Sequence, residues 1–305
     1  MSYPRRLIRG FVINEANFWK EGEEMATKTM WNPEELKAMS KKFDEWLRLT
    51  SYPVAVKLFA SKKELDEAKD ESGRPIRRVT EHRLTICQLL AQARYLGRTL
   101  AGDADALGMC TLATGAMGFK EVPFSYADGY VRAYFTDEKA ARNTMASMPK
   151  FQPGSYVGML VSPLDRMPLS PNVVIFFGNT AQIYRFIQSY LYNTGGRMEF
   201  SSNAESVCAD LITLSMLTGK PQIGLPCNGG RLLSWPSDDE IAIGVPAVAL
   251  EQVINGMDFT HRGGVRYPIT WVHVGWEPPP GSTIRNIMEG KGFYPPEQRH
   301  PEKKK

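Results

Sequence analysis

Long apolar runs are missing from this chain of 305 residues. No segment reaches the roughly 20 consecutive apolar residues that a transmembrane helix needs, so we expect no membrane partner. The short apolar run at residues 11–13 is followed at once by Asn14 and Glu15, which leaves no hydrophobic region of a secretory signal. We therefore expect a cytoplasmic protein whose few cysteines are reduced rather than joined in disulfides.

A broad basic surface is also missing, although the formal net charge is +4. Residues 1–10 and residues 285–305 each carry +3, which leaves −2 for the 274 residues between them. Proteins that bind nucleic acid need clustered lysine and arginine to meet the phosphates, so we expect no nucleic-acid partner. The hydrophobic share of 43% and the charged share of 23% are those of a globular protein.

Familiar catalytic motifs are absent as well. The stretches Gly195-Gly196-Arg197 and Gly229-Gly230-Arg231 lack the spacing of phosphate-binding loops. The four histidines show no metal-ligand spacing, and no Ser-His-Asp set can be chosen. The sequence therefore predicts neither nucleotide hydrolysis nor serine chemistry.

Helix and strand patterns divide the chain into a body and two flanking segments. Residues 1–31 have no clear period and are predicted to form an irregular N-terminal arm, whereas residues 258–305 form a proline-rich C-terminal extension. In the body, residues 32–257, a mainly helical first half precedes alternating strands and helices. We predict an α+β or α/β fold with a single mixed β-sheet flanked by helices, and a central strand at the apolar run 172–177.

Three predicted helices begin with the capping-box spacing of a polar N-cap followed three residues later by Glu or Gln. These pairs are Thr85 with Gln88, Asn179 with Gln182, and Ser202 with Glu205. The first and third helices carry Cys87 and Cys208 near their N-termini and end at glycines.

The four cysteines are the residues with the clearest chemical potential. Cys87, Cys110, Cys208 and Cys227 form two pairs, with separations of 23 and 19 residues. In each pair the first cysteine lies early in a predicted helix, where free N–H groups favour a thiolate. The second cysteine of each pair lies in a glycine-containing stretch that follows this helix. Four thiolates suit an iron–sulfur cluster or a zinc ion. Without a C-x-x-C pair, spacing alone favours the simpler interpretation of cysteines that fill space in the core.

Six blocks of sequence, in chain order, are similar to the family called domain of unknown function 169 (DUF169). They are Tyr52-Pro53-Val54-Ala55-Val56-Lys57, Cys87-Gln88, Phe177-Gly178-Asn179-Thr180-Ala181-Gln182, Cys208 through Pro221, Leu225-Pro226-Cys227-Asn228-Gly229-Gly230-Arg231, and Asp238-Asp239-Glu240 ahead of Ile243-Gly244-Val245-Pro246. The resemblance covers roughly residues 35–257 and lends a fold-level identity rather than a reaction.

The resemblance also bears on the cysteines. It associates cysteines with the blocks that match Cys87, Cys110, Cys208 and Cys227, and it implies that these four share one metal site. Many members of the family place a further cysteine where this chain has Gly230, so a mechanism that needs a fifth thiol is not expected here.

Two further residues are candidates for cofactor binding. Arg231 follows the Cys227 stretch, and its planar guanidinium could bind an anionic ligand. A surface ion pair is the alternative role for this side chain. Asn179 is a helix cap first and a ligand contact second. The acidic run 238–240 is more typical of a turn before a strand than of a cation site.

Three functional hypotheses remain open. The first is an iron–sulfur protein, a redox or Lewis-acid enzyme acting on a small molecule or with an electron-transfer partner. The second is a non-catalytic binding or accessory protein whose cysteines hold structural zinc or simply pack. The third is a thiol-based redox enzyme with Cys87 as a low-pKa nucleophile. The sequence leaves the oligomeric state open, a homo-oligomer included.

Overall fold

Six strands form one sheet in a computed structural model that describes residues 28–79, 84–268 and 283–290. The strands are β1 (Val54–Phe59), β2 (Leu100–Asp103), β3 (Gly158–Pro163), β4 (Val173–Gly178), β5 (Gln222–Gly224) and β6 (Ile241–Pro246). Their spatial order is β2-β3-β1-β4-β6-β5, and every strand ladder is antiparallel. The predicted α+β class with a single sheet is confirmed, whereas the sheet is antiparallel rather than mixed.

Strand β4 explains why one run of the sequence is apolar throughout. It lies inside the sheet, paired with β1 on one side and β6 on the other. Val173, Ile175 and Phe177 face one core, whereas Val174 and Phe176 face a second core on the opposite side. Both faces are covered, so neither can carry polar side chains, and the prediction of a central strand is confirmed.

Helices cover the two faces of this sheet. They are α1 (Pro33–Leu47), α2 (Lys62–Glu67), α3 (Ile86–Leu96), α4 (Thr111–Ala116), α5 (Glu138–Ser147), α6 (Thr180–Tyr190), α7 (Ser215–Thr218), α8 (Asn228–Ser234), α9 (Leu250–Arg262) and α10 (Thr283–Met288). Short 3₁₀ helices span Phe124–Tyr130, Leu164–Arg166 and Ala247–Ala249, and a π-helix spans Ala209–Leu214. One core contains α1, α6 and α9, and the other contains α3, α4 and the π-helix.

Two of the predicted helix starts are confirmed in atomic detail. Thr85 Oγ1 accepts a hydrogen bond from the Gln88 N–H at 3.1 Å, and the Gln88 side chain accepts one from the Thr85 N–H at 2.9 Å. Asn179 and Gln182 form the same reciprocal pair at the start of α6. Helix α3 ends at Gly97, as predicted, with φ of 63°.

The third predicted start, at Ser202 and Glu205, is wrong. The Ser202 hydroxyl accepts from the Ala204 N–H at 3.2 Å, and the helix that carries Cys208 begins only at residue 207. Ala204 and Ser206 have positive φ values of 62° and 54°, which a right-handed helix cannot contain. The chain therefore turns sharply just before Cys208.

The predicted arm and tail fall largely outside the residues that the structure describes. Helix α9 continues to Arg262, beyond the predicted body boundary at 257, and the division into arm, body and extension stays a prediction. In the ranges 28–79, 84–268 and 283–290, no helix is both long and apolar enough to cross a bilayer.

Candidate functional site

Each of the four cysteines lies at the start of a different helical segment. Cys87 is the second residue of α3, and Cys208 directly precedes the π-helix. Cys110 is the N-cap of α4 and Cys227 is the N-cap of α8. The sequence predicts glycine-containing stretches outside the helices at these last two positions. Both cysteines do lie outside a helix, and the short helices that begin at the next residue, Thr111 and Asn228, are not predicted.

The four cysteines converge, although they are distant in the chain. Every pairing among Cys87, Cys110, Cys208 and Cys227 is close enough for a charge on one sulfur to raise the pKa of its partner. Cys208 belongs to the core that contains α3, α4 and the π-helix, and Cys110 and Cys227 pack against that core. The structure therefore brings together all four residues that the sequence singled out.

Cys227 is the thiolate of this group. The pKa of Cys227 falls to about 5, first because the Cys87 thiol donates a hydrogen bond to its sulfur. Backbone N–H groups of Val207, Gly230 and Ser206 donate as well, and together these donors outweigh the opposing effect of burial. The Gly230 nitrogen lies 3.4 Å from the sulfur. Donors aimed at sulfur stabilise its charged form, so Cys227 carries a negative charge at neutral pH.

The other three cysteines stay protonated. The hydrogen bond to Cys227, followed by burial, raises the pKa of Cys87 well above its ordinary value. Burial raises the pKa of Cys110 and of Cys208. The expectation that Cys87 is the low-pKa nucleophile is therefore wrong, because Cys87 is the hydrogen-bond donor and Cys227 the acceptor.

Two acidic side chains near the thiols escaped the sequence reasoning. Burial, and then the charge of Cys227, raise the pKa of Asp210 to about 7, and one of its oxygens is buried without a partner. The same two causes raise the pKa of Glu205. In the sequence, Asp210 could have been found as an acidic residue inside the otherwise mainly apolar run 209–214. Glu205 is predicted there as part of a helix cap.

The described residues contain no group of three or more His, Cys, Asp or Glu side chains arranged to hold a metal ion. In a tetrahedral zinc site with sulfur ligands at about 2.3 Å, the sulfurs lie about 3.8 Å from one another. The four thiols share one region without forming such a site. Only Cys87 and Cys227 make a hydrogen bond with each other.

The two predicted cofactor-binding residues have structural partners. The Asn179 amide donates to the Tyr267 hydroxyl at 2.9 Å while its carbonyl oxygen caps α6. Arg231 lies 3.6 Å from the fully exposed Asp238. Neither contact tests a role in cofactor binding, which stays a prediction.

The fold and the site define a class: an α+β protein with an antiparallel six-stranded sheet and a cluster of four reduced cysteines on one face. The profile of the family DUF169, described as Uncharacterised ArCR, matches residues 42–256. The chain belongs to this family, as the sequence blocks predicted.

One relative among curated proteins is an archaeal chain, "Uncharacterized protein MJ0308" of Methanocaldococcus jannaschii. The two are 29% identical over 229 residues, which cover 73% of this chain and 94% of the relative. No solved structure matches this chain. The comparisons thus identify a family and supply no reaction.

Proposed function

We propose that the four cysteines form a thiolate centre that binds an iron–sulfur cluster, in a redox or Lewis-acid protein acting on a small molecule or with an electron-transfer partner. The single observation that carries the proposal is the convergence of Cys87, Cys110, Cys208 and Cys227 from separate helical segments. Four thiols that only filled space would have no reason to gather in one region of the core.

The surroundings of the sulfurs fit such a centre. Backbone N–H groups donate to Cys227 and also to Cys110, where the donors are Ala113 and Leu112. Hydrogen bonds to sulfur and exclusion of water are two of the means by which a protein sets the potential of an iron–sulfur centre. Cys87 and Cys208 are buried while Cys110 and Cys227 are partly exposed, so one side of the centre can be reached from solvent.

An iron–sulfur cluster and a zinc ion would both draw on these four thiols, and the presence of acid-labile sulfide distinguishes the first from the second. Binding also requires Cys87, Cys110 and Cys208 to lose protons, so loading should improve as the pH rises.

The test is anaerobic purification of the whole chain from iron-replete cells, followed by absorption spectroscopy and analysis of iron and acid-labile sulfide. We expect a coloured protein with iron and sulfide in similar amounts, and loss of both in each of the variants Cys87→Ser, Cys110→Ser, Cys208→Ser and Cys227→Ser. Thr218→Ser, an exposed hydroxyl exchange in α7, is the control and should retain the iron. A colourless and iron-free wild-type protein would overturn the proposal.

A second candidate, a dithiol redox pair, is favoured by the hydrogen bond between the Cys87 thiol and the Cys227 thiolate. Oxidation would join the two sulfurs in a disulfide, and two electrons and one proton would pass to an external disulfide oxidant. Titration of the metal-free protein with oxidised glutathione, read by intact mass and peptide mapping, separates the candidates. A Cys87–Cys227 disulfide in a protein that never contains iron supports the pair, and iron with sulfide in the native protein supports the cluster.

A further inference from the structure

A cavity lies away from the thiols, between α1 and the C-terminal end of α3. Its volume is about 700 Å³, within the range of pockets that hold small molecules. Its walls include Lys37 and Lys41 of α1, Tyr52 of the following loop, Arg94 of α3, and Asp165 of the 3₁₀ helix Leu164–Arg166. Cys87 is seven residues before Arg94 in α3, which places it about 10 Å further along the helix axis.

Arg94 is a buried cation with one hydrogen-bonding group unused. Its side chain is 1% exposed, its Nε donates to Ser51 Oγ at 2.8 Å, and its Nη2 forms an ion pair with Glu240. The guanidinium lies over the ring of Phe177 at 4.0 Å, which helps to fix its position. Its Nη1 is buried and has no hydrogen-bond partner.

Asp165 contributes the opposite unused group. Its Oδ2 lies 3.7 Å from Arg166 Nε, whereas its Oδ1 is buried without a partner. The segment that holds Asp165 is tied to the end of α3, because Arg166 Nη1 donates to the Gly97 carbonyl at 2.8 Å. Asp165 is therefore held beside the helix that carries Arg94.

A buried polar atom without a partner costs about 1 to 3 kcal/mol, and more when the group is charged, so native proteins retain few of them. Five side chains of the described residues carry such an atom, and two of them, Arg94 and Asp165, line this one cavity. One offers a donor from a cation and the other an acceptor from a carboxylate. A ligand that satisfies both must present an acceptor and a donor at once.

We propose that this cavity binds a small molecule bearing both a carboxylate and an ammonium group, that is, a free amino acid. The ligand carboxylate accepts from Arg94 Nη1, and its ammonium donates to Asp165 Oδ1. Lys37 and Lys41 in the wall are balanced by Glu34 and Asp44, which suits a ligand with no net charge, and Tyr52 and Tyr95 supply an aromatic wall for a side chain. The site is separate from the thiol centre and does not depend on it.

The test measures binding of the common L-amino acids, one at a time, to the whole chain by thermal shift and isothermal titration calorimetry. We expect at least one amino acid to bind with one-to-one stoichiometry. Its 2-hydroxy acid analogue and its decarboxylated amine should each bind about tenfold more weakly or worse. The first replaces the ammonium by a neutral donor to Asp165, and the second leaves Arg94 Nη1 without an acceptor.

The matched variants are Asp165→Asn, which keeps the shape but removes the charge at the cavity, and Asp239→Asn, an exposed acid outside it. Affinity should fall about tenfold or more in the first and stay unchanged in the second. If no amino acid binds the wild-type protein, or if Asp165→Asn binds as tightly as the wild type, the proposal is wrong. Chemical-shift changes at Tyr52 and Tyr95 in the wild-type protein give a check that needs no variant.

Discussion

Cys227 differs from the other three cysteines in the number of donors that reach its sulfur. Three backbone N–H groups and the Cys87 thiol point at it, and these contacts outweigh the desolvation that dominates at Cys110 and Cys208. The closeness of four thiols also limits the charge, because one thiolate raises the pKa of its neighbours. Local donors therefore decide which thiol ionises. Burial at Cys110 and Cys208, and the hydrogen bond at Cys87, keep the other three neutral, and repulsion between the sulfurs adds to these effects.

Alkylation of the reduced, metal-free protein should reveal this division. We expect the iodoacetamide rate of Cys227 to rise near pH 5 and to level off, because its pKa of about 5 lies far below the ordinary 9.0. Cys110, also partly exposed, should react faster with each step towards and beyond pH 9.0, because burial raises its pKa. Peptide mapping by mass spectrometry gives both rates from one sample.

Two variants at position 87 isolate the contribution of the hydrogen bond. Cys87→Ser keeps an O–H donor, so the alkylation rate of Cys227 should still rise at low pH. Cys87→Ala removes the donor and should shift this rise to higher pH. A Cys227 rate that climbs about tenfold per pH unit through neutrality in the wild-type protein would contradict the assignment.

The four cysteines could be identified from the sequence, whereas the low pKa was predicted for Cys87 and belongs to Cys227. The positions of Cys87 and Cys208 near helix starts could be predicted as well, and the short helices that follow Cys110 and Cys227 could not. The decisive donors on Cys227 include Val207 and Ser206, which lie some twenty residues earlier in the chain and meet it only in the folded protein. Such contacts depend on tertiary structure, and no local pattern encodes them.

The π-helix that follows Cys208 packs against glycines of the sheet. A Cβ at Gly244 of β6 would lie 1.9 Å from the Leu211 carbonyl oxygen, and one at Gly224 of β5 would lie 2.9 Å from the Leu211 side chain. The backbone of the π-helix thus rests directly on the strand. This close approach fixes the depth at which Cys208 is held.

Gly244→Ala should therefore destabilise the protein by about 3 kcal/mol or more. The new Cβ would clash with the backbone carbonyl of Leu211, which cannot move aside as a flexible side chain can. Gly229→Ala in α8 is the matched control, since a Cβ there meets no atom within 4 Å, and alanine favours a helix. Denaturant unfolding followed by circular dichroism measures both. Equal stability of the two variants would show that the contact at Gly244 relaxes without cost.

Elements with a strong local sequence pattern could be predicted. Elements whose structure depends on contacts with other parts of the chain could not. Capping boxes at Thr85 and Asn179 predicted the starts of α3 and α6, and the apolar run of β4 predicted a central strand. Strand β2 could not be predicted, because its sequence Leu-Ala-Gly-Asp has little β-propensity and its register is set by pairing with β3. The π-helix could not be predicted, since its sequence also suits an α-helix.

The sheet separates two cores, and the thiols lie on one side of the sheet only. The segments that bring them there are α3, the start of α4, the π-helix and α8, and β-strands intervene between them in the chain. The unfolded chain holds the four sulfurs far apart on average. A centre that joins them exists only in the native state, so its binding free energy adds to folding stability.

The proposed metal centre therefore predicts that the thermal stability of the natively purified protein falls when a chelator removes its iron. We expect an anaerobic chelator that strips the iron to lower the Tm of the wild-type protein by about 10 °C, which is the size of shift that a loss of about 3 to 5 kcal/mol gives in a domain of this length. The variant Cys227→Ser, purified in the same way, should melt near the stripped wild-type protein and respond little to the chelator, because it lacks one ligand from the outset. Thr218→Ser should behave as the wild type in both states. The comparison separates a bound centre from ordinary core packing, since cysteines that merely fill space would leave the Tm of the wild-type protein unchanged by the chelator.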